Sequence, residues 1–373
     1  MISGGRTSQK TMSWKKYIKI AAGLLIIISI IWIIYLFVRK TETFQNITTA
    51  IFGNEEPIIA VTLDQELTKI TEERIFDYWI NKKDNSIYYI DETGSVSKIS
   101  QNNSPEIINS QNLNKLNKIW VSYDGDKIAA RFNYPNLPTF SIFDIAAKNW
   151  QPLPSNTLAV AWSPVADKLA YLDDKTLNIT DFSSKKTQKI LNLTQKEVNL
   201  DWISESTILL STIGSIDNPA SLWSINLKTK NVTPLINDEQ GLALKWANDG
   251  SMGIKLHTIK RAPYTSAIDP NGITLAAFSF ITMPSKCLIE KEKIYCAIPD
   301  NINAGVKLPD DYYKKSVYFN DVFYLIETKN DSAKIIFNPE TTSVDADHLE
   351  LFNNTLLFKN RIDDGLYSLQ LNP

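Results

Sequence analysis

Residues 158–191 read LAVAWSPVADKLAYLDDKTLNITDFSSKKTQKIL. Four short apolar or alternating runs, AVAW, KLAYL, LNITDF and TQKIL, are separated by the turn clusters SPVAD, DDK and SSKK. Runs of four to six residues bounded by Pro, Asp, Ser and Lys are the pattern of a small antiparallel meander. Outward from this stretch the same unit recurs with a Trp at the same place. Trp79, Trp120, Trp162, Trp202 and Trp246 lie 41, 42, 40 and 44 residues apart. A period near 40 with about four strands per period predicts a β-propeller.

The repeat continues past residue 281 without its Trp. Cys287 stands in that position in KCLIE-KEK-IYCAI, and a final unit over 343–372 supplies only three strands. Counting these two gives seven blades. The fourth strand of the last unit is expected from the other end of the chain, at 58–63 (IIAVTL), which would close the ring and remove two open edges. The expected fold is therefore all-β, a seven-bladed propeller of four-stranded antiparallel blades over 58–373.

The segments W-S-P-V-A-D-K-L-A (162–170), W-A-N-D-G-S-M-G-I (246–254) and V-S-Y-D-G-D-K-I-A (121–129) resemble the TolB-type or WD-like propeller repeat family. The resemblance covers about 70–281 well and the last two units weakly. From Lys286 onward the chain is also similar to uncharacterised membrane-anchored bacterial propellers. The resemblance implies a fold and no activity, because such propellers serve as scaffolds, receptors and enzyme domains alike.

Ahead of the repeats, residues 20–38 (IAAGLLIIISIIWIIYLFV) form a 19-residue run without a charge. As a helix it would cover about 28 Å, close to the hydrocarbon core of a bilayer. Arg6, Lys10, Lys15, Lys16 and Lys19 precede it and only Arg39 and Lys40 follow. The positive-inside rule then predicts a short cytoplasmic tail (1–17), a transmembrane signal anchor (18–38), a tether (39–57) and an extracytoplasmic propeller at the cell envelope. A formal net charge of −2 leaves no basic excess for a general nucleic-acid binder.

The search for chemistry yields little. If Lys291 and Glu292 centre a hairpin turn, Cys287 faces Cys296 within disulfide range, and an exterior location permits oxidation. Two buried thiols are the alternative. The Asp-Gly turns at 124–126, 248–250 and 363–365 suit hairpins better than calcium loops. His257 and His348 are the only histidines, too few with two paired cysteines for a zinc site. No cofactor is expected. There is no G-x-S-x-G elbow, and the chain ends with the last blade, so a peptidase-domain reading is set aside.

The positional clue lies in the loops joining second and third strands, which share one face. They are long at 133–138, 214–220, 260–264 and above all 299–315, and they carry Tyr134, Arg261, Tyr264, Asp310, Asp311, Tyr312 and Tyr313. Loops on a rigid scaffold, rich in Tyr and Arg, suit a protein-binding face. The expectation is a non-enzymatic binding or assembly scaffold with a protein partner in the cell envelope. The rival is a carbohydrate-active or hydrolytic enzyme using carboxylates on that face. A third is an accessory subunit of a membrane machine.

Overall fold

A computed structural model describes residues 67–99, 104–113, 115–328, 332–339 and 342–371. The expected transmembrane helix, its tail, the tether and the stretch 58–63 lie outside the described residues. Among the described residues no helix is long and apolar enough to cross a membrane.

Among the described residues the strands assemble into five four-stranded antiparallel sheets and one seven-stranded sheet, with sequential strands paired side by side. The opening stretch becomes Ala159–Trp162, Lys168–Leu172, Thr176–Asp181 and Lys186–Asn192, as its turn clusters predict. Its innermost strand is wholly buried and the outermost mostly exposed, the burial gradient of a blade cut across a ring. The seven-stranded sheet arises because Val232–Trp246 runs unbroken for 15 residues, ending one unit and beginning the next. A bulge between Gln240 and Ala243, with Gly241 at positive φ, marks the change of role.

Apolar clusters lie between neighbouring four-stranded units and run in a closed series. Ile90 packs with Ile128, Ala129 with Val160, Leu172 with Ile208, Ile203 with Trp246, Ile254 with Ile294, and Phe323 with Phe358. Tyr78 and Tyr89 then pack with Leu357 and Leu366, joining the first sheet to the last. The last sheet takes its fourth strand from the N-terminal side, as expected, but the strand is Leu67–Lys69, with Leu67 opposite Leu369 and Lys69 opposite Tyr367.

Two Asp-Gly turns have a second use beyond the hairpin. A Cβ on Gly125 would lie 2.1 Å from the Ile80 carbonyl oxygen, and one on Gly250 would lie 1.9 Å from that of Ile203. Each turn packs its bare backbone onto the preceding unit's first strand, at a positive φ that glycine adopts freely. Two of the repeated Trp residues also bond across to a neighbouring unit. The Trp79 indole donates to the Gly125 carbonyl at 3.1 Å and that of Trp162 to the Trp120 carbonyl at 2.9 Å.

Candidate functional site

First strands of several neighbouring units approach one another, and the first strands carry charges that feel each other. Asp77, Lys118, Asp201, Lys245, Glu290, Asp347 and Glu350 all belong to such strands. Burial lowers the Lys245 ammonium although Glu350, Asp347 and Asp77 pull it up. Burial likewise raises the Asp201 carboxyl, with Lys118 pulling it back. At the seam between last and first sheets, His348 Nδ1 meets Asp77 Oδ1 at 2.5 Å, and its Nε2 lies 3.6 Å from Glu350. Burial opposes charge on this imidazole, but Asp77 and Glu350 together outweigh it and raise its pKa to about 10.

The face bearing the long loops is dominated by residues 299–320. This segment contains one turn of helix, Asp310–Tyr313, and reaches over its neighbours. Asp310 accepts from the Ile216 N–H at 2.8 Å, inside the 214–220 loop two units earlier. Tyr312 offers its carbonyl to Arg361 at 2.8 Å, from the turn of the last sheet, and the guanidinium lies 3.6 Å from the centre of its ring. Asp311 accepts from the Lys307 N–H at 2.8 Å, closing the segment on itself.

The residues expected on the binding face therefore divide. Tyr312 is buried, and Asp310 and Asp311 fix the segment's shape. Tyr313 projects, 61% exposed. Arg261 is held at 2.5 Å by Asp217, so the 260–264 and 214–220 loops are joined. Tyr264 is exposed beside His257, at 5.8 Å between rings. Tyr134 is exposed with the Arg131 guanidinium 4.1 Å from its ring centre, and no bond links it to the others.

Sequence reasoning stopped at residue 315 and missed the hollow beside the segment. A cavity of about 600 Å³ is lined by Asp300, Asn301, Asn303, Tyr318, Asn320 and Ser343, among others. A second of about 340 Å³ adjoins it, sharing Asp300, Asn320 and Ser343. Planar amides, a carboxylate and a half-exposed tyrosine suit hydroxyl-rich or peptide ligands. The run PDNINAG at 299–305 was the available signal. Beneath the segment lies a buried charge cluster, Lys286, Asp321, Asp345 and Arg361, whose members are far apart in sequence. Among the described residues no group of His, Cys, Asp and Glu could hold a metal ion.

Cys287 and Cys296 form a disulfide across the register Cys287↔Cys296, with Cα atoms 4.1 Å apart. The hairpin arithmetic predicted this pairing.

No family model and no curated protein matches the chain in sequence. Solved structures do match its shape. An oligogalacturonate lyase in complex with manganese covers 84% of this chain and 94% of its own, with TM-score 0.58 at 13% identity. The RRP9 WD40 repeats cover 82% and 98%, with TM-score 0.56 at 9% identity. The C-terminal WD40 domain of Sif2 covers the same shares, with TM-score 0.51 at 10% identity. At such identities the likeness establishes the fold alone: the chain is a β-propeller. The neighbours include an enzyme and WD40 repeat domains, so the choice between catalysis and binding rests on the site.

Proposed function

We propose that this chain is a membrane-anchored, extracytoplasmic propeller of the TolB-like kind that binds a protein partner through the face built by residues 299–320. Counting the fused sheet as two blades gives seven. The anchor is the uncharged run 20–38, with its basic flank held in the cytoplasm.

One observation carries the binding reading. The longest described inter-strand segment is held against two other units, by Asp310 on Ile216 and by Arg361 on Tyr312, and it presents Tyr313 and Tyr318 beside an open hollow. A held loop loses little entropy on binding, and exposed tyrosines supply rigid contact area. The test is crosslinking on intact membranes, comparing wild type with a variant whose 300–318 is replaced by a short Gly-Ser turn. Specific partners should vanish with the segment while the disulfide still forms. An unchanged partner set overturns the reading.

The carbohydrate-active reading retains one support, the Asp300 carboxylate among Asn301, Asn303, Asn320 and Tyr318. The buried carboxylates nearby, Asp321 and Asp345, are engaged by Lys286 and Arg361. Turnover in a glycan screen that is lost in Asp300→Asn would establish this second reading.

A further inference from the structure

Beneath the 299–320 segment, Lys286, Asp321 and Asp345 form a group whose side chains have no solvent exposure. Lys286 Nζ lies 2.5 Å from Asp321 Oδ2 and also contacts Asp345 Oδ1. The rings of Tyr312 and Phe319 stand 5.5 and 5.6 Å from the same nitrogen, so aromatic faces flank it. The Ala346 N–H donates to Asp321 Oδ2 at 2.7 Å, while Asp321 Oδ1 is buried without a hydrogen-bond partner. Arg361 holds the other oxygen of Asp345 at 2.5 Å. The backbone fixes all three residues. Lys286 N–H closes a turn onto Met283, Asp321 N–H donates to Val344, and Asp345 N–H donates to the Asn360 side chain.

We propose that Lys286 and Asp321 condense into an intramolecular side-chain amide, with Asp345 as the proton relay. Burial away from water works against the ionised carboxylate. It raises the Asp321 carboxyl to about 6 against the pull of Lys286, so the protonated acid is reached more readily than for an exposed carboxyl. The ammonium's proton ends on Oδ1, the oxygen without a partner. The Nζ lone pair attacks Cγ, and the negative charge collects on Oδ2, where the Ala346 N–H already donates. Asp345 takes a proton from the nitrogen and delivers it to Oδ1, which leaves as water. One C–N bond forms, one C–O bond breaks, and nothing is oxidised or reduced. Holding amine and carboxyl together supplies the effective concentration that the condensation lacks in water. The product keeps Oδ2 as an amide oxygen on Ala346 and removes the unpartnered acceptor.

The bond would tie the entry of Cys287–Glu290 to the start of Asp321–Glu327, the floor on which the 299–320 segment rests. This inference is independent of what the face binds.

The test is the intact mass of the purified full chain after reduction of the disulfide, with sequencing of its proteolytic peptides. The expected mass is one water below that of the sequence, with a branched peptide joining Lys286 to Asp321. The full sequence mass with two linear peptides overturns the proposal, as does loss of water without the branch. Asp345→Asn should fold, judged by its disulfide and circular dichroism, and keep both side chains free. A branched peptide in that variant would refute the relay role. Asp321→Asn should form the same branch with loss of ammonia instead of water, which tests the bond even if Asp345→Asn does not fold.

Discussion

The seam that closes the ring should weaken as pH rises, and His348 is the reason. The residue sits at φ 51, a left-handed conformation that Asn tolerates well, so His348→Asn removes the imidazole without straining the backbone. In the folded protein the imidazole titrates near 10, against 6.5 for a free histidine. Between those values the native state holds a proton that the unfolded chain has lost. The stability gained from the pair is thus complete below about 6.5 and disappears as pH climbs through 10. At 1.36 kcal/mol per pH unit the upper bound is roughly 5 kcal/mol. About a quarter of each partner's side-chain surface meets solvent, which screens the pair and brings the expectation to about 2–3 kcal/mol. Urea unfolding of the full chain, followed by Trp fluorescence at pH 6, 8 and 10, reads the gap between wild type and variant. The gap should be about 2–3 kcal/mol at pH 6 and under about 1 kcal/mol at pH 10. Other Lys and Tyr groups titrate in both proteins and cancel in the difference. A gap that is constant with pH, or grows with it, refutes the ion-pair account of the closure.

Further outcomes follow from packing. Tyr312→Ala empties a buried site under the Arg361 guanidinium and should cost about 3–5 kcal/mol, with new protease cleavage inside 299–320 detected by peptide mapping. Gly250→Ala places a methyl group 1.9 Å from the Ile203 carbonyl oxygen at φ 68, so thermal melting should show a loss well above 1 kcal/mol. Reducing the Cys287–Cys296 bond opens a loop with sequence separation 9, and urea midpoints with and without reductant should differ by about 2–3 kcal/mol.

Much of the fold was legible in the sequence because it is written locally and repeatedly. A strand's apolar run, its turn residues and the recurring Trp lie within ten or so residues of one another, and the hairpin containing both cysteines is one turn long. Register across such a turn follows from counting, so Cys287 opposite Cys296 was within reach. The closing strand was expected from the N-terminal side because an incomplete last unit demands it. Which residues do the closing, Leu67–Lys69, depends on pairing with Gly365–Gln370 some 300 positions away, and no local pattern encodes that register.

The site divides along the same line. The choice of the 299–315 loop as its candidate position rested on length and composition, properties of one stretch of chain. The inward turn of Tyr312, the capping of Ile216 by Asp310, the hollow reaching Asn320 and Ser343, and the burial of Lys286 with Asp321 and Asp345 were decided only by tertiary structure. Each joins residues from different units, and the sequence carries no record of which side chains meet when a ring closes. Local hydrogen bonding and hydrophobic periodicity act over a few residues and can be read from the chain. Packing between blades acts in three dimensions, and it alone determines which charges are buried together and which aromatic rings remain outside.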